Sequence, residues 1–357
     1  MKKLPLFALC ALALPAAALP GPSTASFAKG VQFTVSGYTG ASALSGFPVL
    51  VRIAEDSPSG FSYADMESAN AADKNDIDLA FVDMDGSGLP FEIDTWDPAG
   101  TSLIWVKLPS MQNGTEFVMC WGSETSGKTV CGDNPFAGYY GVWHMTEANA
   151  KDSSANHLDG TANGSVTVVD AKLGSGTSFP SNAKIATTNT LNSAFSSAIS
   201  FETWARSSDV SGEQALFGKE ALATFKFKGG VTWFTTPGKQ DFDKINQTIA
   251  ANTWYHIVLT FVPNQAAKVY VDGNLVKTQS DSKGYNDLAK SCPVVFGSNQ
   301  WNQYYKGVLD ECRLLTTELS ADWIAADYAT QNDASFLTSG SAQDLGTPGR
   351  AATVFFF

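Results

Sequence analysis

A period of two in the apolar residues, repeated along most of the chain, limits the folds open to it more than any other feature. Val31-Gln-Phe-Thr-Val-Ser36, Phe47-Pro-Val-Leu-Val-Arg-Ile53, Leu103-Ile-Trp-Val-Lys-Leu108 and Glu116-Phe-Val-Met-Cys-Trp121 all alternate apolar and polar side chains. Turn-forming clusters such as Asp85-Gly-Ser-Gly88 and Asp97-Pro-Ala-Gly100 stand between them. Side chains on a strand point alternately to opposite faces, so short runs of this kind predict antiparallel sheets stacked as a sandwich. No succession of βα units is present, which excludes a parallel nucleotide-binding sheet. Residues 54–75, polar and rich in Ala, Ser and Asp, read as a loop or a short helix.

The second half repeats the pattern in Ile199-Ser-Phe-Glu-Thr-Trp-Ala205, Gln214-Ala-Leu-Phe-Gly218, Trp254-Tyr-His-Ile-Val-Leu-Thr-Phe261 and Lys268-Val-Tyr-Val-Asp-Gly273. Asp272-Gly273, with alternation on both sides, predicts a tight hairpin. Two more stretches, Val142-Trp-His-Met145 and Gly307-Val-Leu-Asp-Glu-Cys-Arg-Leu314, are strand patterns carrying polar residues that a plain core does not need. Together they read as the opening and closing strands of one sandwich. One helix is predicted at Ser320–Thr330, with Ser320 as its cap and Ile324 and Tyr328 on one face. A chain of 357 residues is too long for one ordinary core. Gly, Ser, Thr and Asn crowd together over Gly122–Asn134, and the domain boundary is placed there. The expected layout is all-β: a leader at 1–18, one sandwich at 27–130, a second at 138–338 with a short helix near its end, and a tail at 339–357. The closing Thr353-Val-Phe-Phe-Phe357 is either an edge strand or a loose end.

Met1-Lys2-Lys3, an apolar run from Leu4 to Leu14 and the small residues Ala16 and Ala18 describe a secretory signal peptide, so the chain is expected to be exported from a bacterium. The run is too short to span a bilayer. Removing residues 1–18 takes away two lysines and no acids, leaving 21 basic against 35 acidic residues and a formal charge of −14 in place of −12. Such a surface is a poor match for nucleic acid or anionic lipid and suits neutral sugars and divalent cations. Cys10 leaves with the leader. Cys120, Cys131, Cys292 and Cys312 remain, and an even number in an exported chain reads as two disulfides. Of the three possible pairings, Cys120–Cys131 and Cys292–Cys312 each stay inside one domain. The first would close a short loop and contribute roughly 2–3 kcal/mol.

With these residues in view, 138–331 resembles the LamG-like, concanavalin A-like jelly-roll family of lectin and glucanase folds. The marks are Val142-Trp-His-Met145, Asp152-Ser-Ser-Ala-Asn156, Ile199-Ser-Phe-Glu-Thr-Trp204, Trp254-Tyr-His-Ile-Val258, Val269-Tyr-Val-Asp-Gly273, Gly307-Val-Leu-Asp-Glu311 and the helix that follows. Residues 27–130 resemble the DUF 2341 family, a β-sandwich found before this jelly roll in bacterial surface proteins. Its marks are Phe47-Pro-Val-Leu-Val51, Asp78-Leu-Ala-Phe-Val-Asp-Met-Asp85, Leu89-Pro-Phe-Glu-Ile-Asp94 and Thr101-Ser-Leu-Ile-Trp-Val106. The resemblance implies an exported envelope protein and no particular reaction.

It also implies a structural calcium ion, bound by Asp152 with neighbouring carbonyls and by Asp310 or Glu311. Alternation places Asp310 and Glu311 on opposite faces, so one of them at most is expected to bind. The competing reading is a salt bridge between Glu311 and Arg313. Asp83-Met-Asp85-Gly86 lacks the distal Glu of an EF-hand and reads as a turn.

Phe91-Glu-Ile-Asp94-Thr-Trp-Asp97 is similar to the catalytic strand of family 16 glycoside hydrolases. A retaining glycosidase needs two carboxyls about 5 Å apart. Glu92 and Asp94 share a strand face, whereas Asp97 falls on the other and precedes Pro98. No catalytic residue is assigned, and a strand running into an Asp-Pro turn is the expectation. His144 and His256 sit in aromatic strand patterns, where packing with one satisfied ring nitrogen is expected. No Gly-x-Ser-x-Gly elbow occurs. For sugar binding, which stacks pyranose faces on exposed aromatics, the loop Gly297-Ser-Asn-Gln-Trp-Asn-Gln-Tyr-Tyr305 supplies Asn299, Trp301 and Tyr304, and Trp233 is a further candidate. The reading is a non-catalytic protein that binds a glycan or a cell-surface protein. A structural or adhesive envelope protein and a divergent glycoside hydrolase are the alternatives.

Overall fold

The computed structural model of the chain describes residues 19–20, 27–66, 68–70, 74–123, 134–180 and 182–345. The leader segment 1–18, Cys131 and the terminal 353–357 run lie outside these residues. Among the described residues the strands form two antiparallel sandwiches, and no helix is long and apolar enough to cross a membrane.

In the first sandwich, Phe27–Val35, Leu79–Asp83 and Glu116–Ser123 form one sheet, and Leu44–Ile53, Ser102–Met111 and Phe91–Thr95 the other. Val49, Val51, Ile104 and Val106 point between the sheets into a core with Phe33, Phe81, Phe117 and Trp121. Alternation would send Leu50, Leu103 and Trp105 to solvent. Instead they are buried in a separate cluster with Val142, Leu173, Val258, Leu315 and Ile324 of the second sandwich. The three-stranded sheet is therefore apolar on both faces because both are covered.

The second sandwich stacks an eight-stranded sheet on a seven-stranded one. The first runs in the order Asn274–Gln279, Ala266–Val271, Tyr255–Val262, Ile199–Ser207, Gly307–Leu315, Ser175–Phe179 and Thr167–Asp170. Gly141–Trp143 is joined to Gly307–Leu315, with Trp143 opposite Cys312 and Val142 opposite Arg313. The opening and closing strands do pair. Asp272 and Gly273 turn the predicted hairpin with φ of +49° and +77°, the left-handed values such a turn requires. The other sheet contains Val231–Thr236, Ala223–Lys228, Glu213–Lys219 and Val294–Phe296 at its centre. Phe201, Phe217, Phe296 and Trp143 fill the space between the sheets.

The helix runs Ala321–Asn332, and the Ser320 hydroxyl accepts from Trp323 N–H as expected of its cap. It crosses the seam. Thr330 Oγ1 accepts from the Leu50 N–H at 2.9 Å, and Arg52 donates to the carbonyls of Thr330 and Gln331 at 2.9 and 2.5 Å. Phe47 and Trp323 meet edge to face at 4.8 Å. Leu44–Ile53 is an edge strand, and the helix takes up one of its outward N–H groups, that of Leu50. The chain then returns to the first sandwich. Leu337–Ser339 and Gln343–Asp344 both pair with Phe27–Val35, so residues 339–345 are part of that sheet and not a tail.

The disulfide expectation is corrected for Cys292 and Cys312. Both are free and buried. Cys312 points between the sheets, 3.2 Å from Thr203 Oγ1, while Cys292 lies in a separate short strand pair and contacts Asn192 Oδ1. Staying inside one domain did not bring the two thiols together. Cys120 is also a free buried thiol; its expected partner, Cys131, is outside the described residues.

Candidate functional site

Two places carry polar side chains that folding alone does not require. One is an open groove on the second sandwich and the other is the buried seam.

The groove lies on the seven-stranded sheet. The other sheet turns its outer face to the first sandwich and the helix, so this is the face left to solvent. Glu213, Lys226, Thr235, Asp241, Trp301 and Gln303 are among its walls, and its volume is about 600 Å³. Trp301 is 45% exposed, a large fraction for an indole. Lys226 Nζ stands 5.6 Å from its ring centroid. Glu213 takes ion pairs from Lys226 at 3.1 Å and Lys228 at 2.7 Å, and it accepts from Gln303 Nε2. The hydrogen bond from Lys228, aided by Lys226, holds the Glu213 carboxyl below its ordinary range. The remaining predicted binding residues do not line the groove. Asn299 is buried, and its Oδ1 accepts from the Trp301 and Gln303 N–H groups, so it shapes the loop that presents Trp301. Tyr304 donates to Asn302 within the same loop. Trp233 lies opposite Lys226 in the sheet, with Lys228 Nζ 4.7 Å from its ring.

The seam is built by two bulges, one from each sandwich. The pairing of Phe91–Thr95 with Ser102–Met111 slips between Ile93 and Thr95, which makes Asp94 the extra residue. Gly307–Leu315 slips in the same way. Trp204 faces Asp310 and Glu202 faces Arg313, leaving Glu311 and Cys312 opposite Thr203, with Glu311 at φ +47°. A bulge lets two neighbouring residues escape strict alternation. Asp310 and Glu311 consequently both reach the seam, which corrects the expectation that they face apart. His144 follows directly after the opening strand.

In the seam His144 Nδ1 is 2.7 Å from Glu311 Oε1, and His144 Nε2 is 3.8 Å from Glu92 Oε1. Glu92 Oε1 accepts from Ser153 Oγ at 2.5 Å. Glu311 Oε2 pairs with Arg313 at 2.8 Å, so the salt-bridge reading of that residue is the one realised. Arg313 also contacts both oxygens of Asp327 at 2.9 Å and lies 4.3 Å from the centroid of Trp105. Among the described residues both carboxylate oxygens of Asp94, Oδ1 of Asp310 and Nε2 of His144 are buried without a hydrogen-bond partner. Burial raises the Asp94 carboxyl to about 7 and lifts Asp310 well above its ordinary range. Burial would lower the His144 imidazole, but Glu311, Asp94 and Glu92 outweigh it and bring it to about 10. His144 and His256 each have one ring nitrogen bonded, to Glu311 and Glu202 respectively, as the sequence suggested.

Asp152 does not join this cluster. Its Oδ1 accepts from the N–H groups of Val142 and Ser154, and its Oδ2 from Leu158 N–H and Ser154 Oγ, at 2.7–2.9 Å. Four donors saturate the carboxylate, which makes it the organiser of the Asp152–Leu158 loop and a poor calcium ligand. Among the described residues, the two groups of His and carboxylate side chains close enough to share an ion do not include Asp152. The Glu92–Asp94 strand, to which no role was given, is the one that reaches the seam. Its signal was two carboxylates on one strand face; its partners lie 50 and more than 200 residues away. Asp97 caps the following turn through Ala99 N–H.

Residues 75–153 match the family described as Domain of unknown function (DUF2341), and residues 179–325 match the Concanavalin A-like lectin/glucanases superfamily. The chain thus carries a DUF2341 domain followed by a concanavalin A-like domain, the order its sequence suggested. The first match runs past Asp94 to include His144 and Ser153, and so takes in both sides of the seam. Part of the chain is also similar to solved structures. Domain 4 of AbnA, a GH43 extracellular arabinanase from Geobacillus stearothermophilus seen with arabinotriose, is 19% identical, with a TM-score of 0.42 over 54% of this chain and 98% of that one. The binding domain of botulinum neurotoxin DC, seen with rat synaptotagmin II, is 14% identical (TM-score 0.43, 54% and 52%). The binding domain of Paraclostridial Mosquitocidal Protein 1 is 16% identical (TM-score 0.44, 54% and 52%). This chain spans about half the length of the latter two, and at such likeness no ligand passes from any of them to it. Among curated proteins none matches the chain.

Proposed function

We propose that this is an exported recognition protein that binds carbohydrate in the groove beside Trp301. The observation that carries the reading is the exposed Trp301 indole, set in a groove whose other walls are polar: Glu213, Lys226, Asp241 and Gln303. A pyranose ring has an apolar face that stacks on an indole and a rim of hydroxyls that needs donors and acceptors, and this wall offers both. The seam is a poor fit to glycan chemistry, because Asp94, Asp310, Glu311 and His144 are buried between the sandwiches and only Glu92 is partly exposed. Export rests on the leader-like residues 1–18, and the mass of the protein recovered from expressing cells checks whether they are removed.

The test is a polysaccharide array with the full mature chain, followed by calorimetry on any hit with wild type and Trp301→Ala. Losing the stacked ring is expected to weaken binding about tenfold, from roughly 1.5 kcal/mol of stacking. Equal affinity of the folded variant would remove Trp301 from the site. No glycan binding by the wild type would favour a protein partner on the same face.

A further inference from the structure

We propose that the seam is a metal site: a first-row divalent cation such as zinc or manganese, bound by Asp94, His144 Nε2 and Asp310, and holding the two sandwiches together. Ligand atoms of Asp94, His144 and Glu311 already lie within 4.8 Å of one another. Neighbouring ligands of a tetrahedral ion, with bonds of about 2.1 Å, stand about 3.4 Å apart, so the side chains would draw in by about 1 Å on binding.

Three features make this more than a cluster of acids. First, the free atoms are the right ones. Both oxygens of Asp94, Oδ1 of Asp310 and Nε2 of His144 are buried and without hydrogen bonds, whereas the oxygens of Glu311 are spoken for by His144 and Arg313. A buried polar atom left unpaired costs stability, so the unpaired atoms of Asp94 and His144 inside this cluster, and of Asp310 beside Glu311 in sequence, indicate a missing partner. Second, His144 is oriented as a ligand. Glu311 Oε1 faces Nδ1 at 2.7 Å, the carboxylate–imidazole arrangement that fixes the ring and leaves Nε2 free for a metal. Third, acidic groups outnumber basic ones. Glu92, Asp94, Asp310 and Glu311 meet here, while Arg313 is shared with Asp327 and Glu202, and Lys74 reaches only the Asp94 carbonyl. The ligand set also selects the ion. Imidazole with carboxylates suits zinc, manganese or iron, while calcium prefers oxygen alone. Glu92 Oε1, 3.8 Å from Nε2, is placed to complete the shell.

Asp94 comes from the first sandwich and His144 and Asp310 from the second, so the ion would act as a staple across the seam. The experiment uses the full chain, stripped with a chelator and dialysed, then titrated separately with zinc, manganese and calcium by calorimetry and thermal unfolding. The expected result is one equivalent of zinc or manganese bound, a raised midpoint of unfolding, and at least a tenfold weaker affinity in Asp94→Asn and in His144→Gln. Because the wild-type titration does not depend on either variant folding, it can refute the site alone. No stoichiometric binding of either metal by the folded wild type would mean that protons, not a cation, hold the seam, and the proposal would fail. A preference for calcium, or undiminished binding in folded Asp94→Asn, would overturn it equally.

Discussion

Arg313 is the most consequential side chain in the seam, and Arg313→Met measures what it does. Its guanidinium is fully buried, pairs with Glu311 at 2.8 Å and Asp327 at 2.9 Å, and lies over Trp105 from the other sandwich. Methionine keeps most of the stem and removes the charge. Asp327 then remains buried without its cation and Glu311 is left with His144 alone, which costs about 3–5 kcal/mol. The contact with the Trp105 face, out of water, adds up to about 2 kcal/mol. A total near 5 kcal/mol is a large share of the roughly 5–15 kcal/mol by which folded proteins of this kind are stable. Because Trp105 belongs to the first sandwich, the loss should appear as uncoupling. Urea unfolding followed by tryptophan fluorescence and by circular dichroism should change from coincident curves to separated ones. The companion variant Arg313→Met with Asp327→Leu removes the cation and one anion together, and should recover a good part of the loss. A single-variant cost under 1 kcal/mol, with the two probes still coincident, would refute the view that this charge ties the domains.

Two further outcomes follow from the buried polar groups. Asp152→Ala strips acceptors from the N–H groups of Val142, Ser154 and Leu158, at about 1–3 kcal/mol each, so a loss of about 3 kcal/mol or more is expected by denaturant unfolding, and it should be the same with and without EDTA if the carboxylate holds backbone and not calcium. His256 is lowered to about 4, chiefly by burial, with Arg313 adding to it against the pull of Asp327. The folded state thus favours the neutral ring, and its contribution is intact above pH 6.5 and lost as the pH falls towards 4. It amounts to about 3 kcal/mol and should vanish from the pH profile of stability in His256→Gln; an unchanged profile would show that the ring titrates alike in the folded and unfolded chain and refute the shift.

What could be read from the sequence was local. The hairpin at Asp272-Gly273 was legible because its left-handed φ values are a property of two adjacent residues. The helix start was legible because Ser320 reaches only three residues ahead. Trp301 could be picked out as an aromatic in a loop rich in amides, and the structure leaves it exposed. Asn299, in the same loop, was misjudged because its side chain satisfies neighbouring N–H groups, a choice that depends on how the loop closes. The pairing of Cys292 with Cys312 failed because sharing a domain does not bring two residues together, and the separation of Asp310 from Glu311 failed because a bulge breaks strict alternation.

Alternation, turn residues and length by themselves determined that the chain forms two antiparallel sandwiches, because strand faces and tight turns are set by neighbours in sequence. Only the tertiary structure decided which polar residues matter. Leu50 and Trp105 are buried because a second sandwich lies on them. Asp94 and Glu311 meet across the seam because each sits at a bulge, and a bulge is fixed by the partner strand and not by the residue itself. The return of Leu337–Ser339 and Gln343–Asp344 to Phe27–Val35 closes the molecule over a separation of some 300 residues. No local pattern encodes that closure, since the strand edge it covers exists only once the first sandwich has formed.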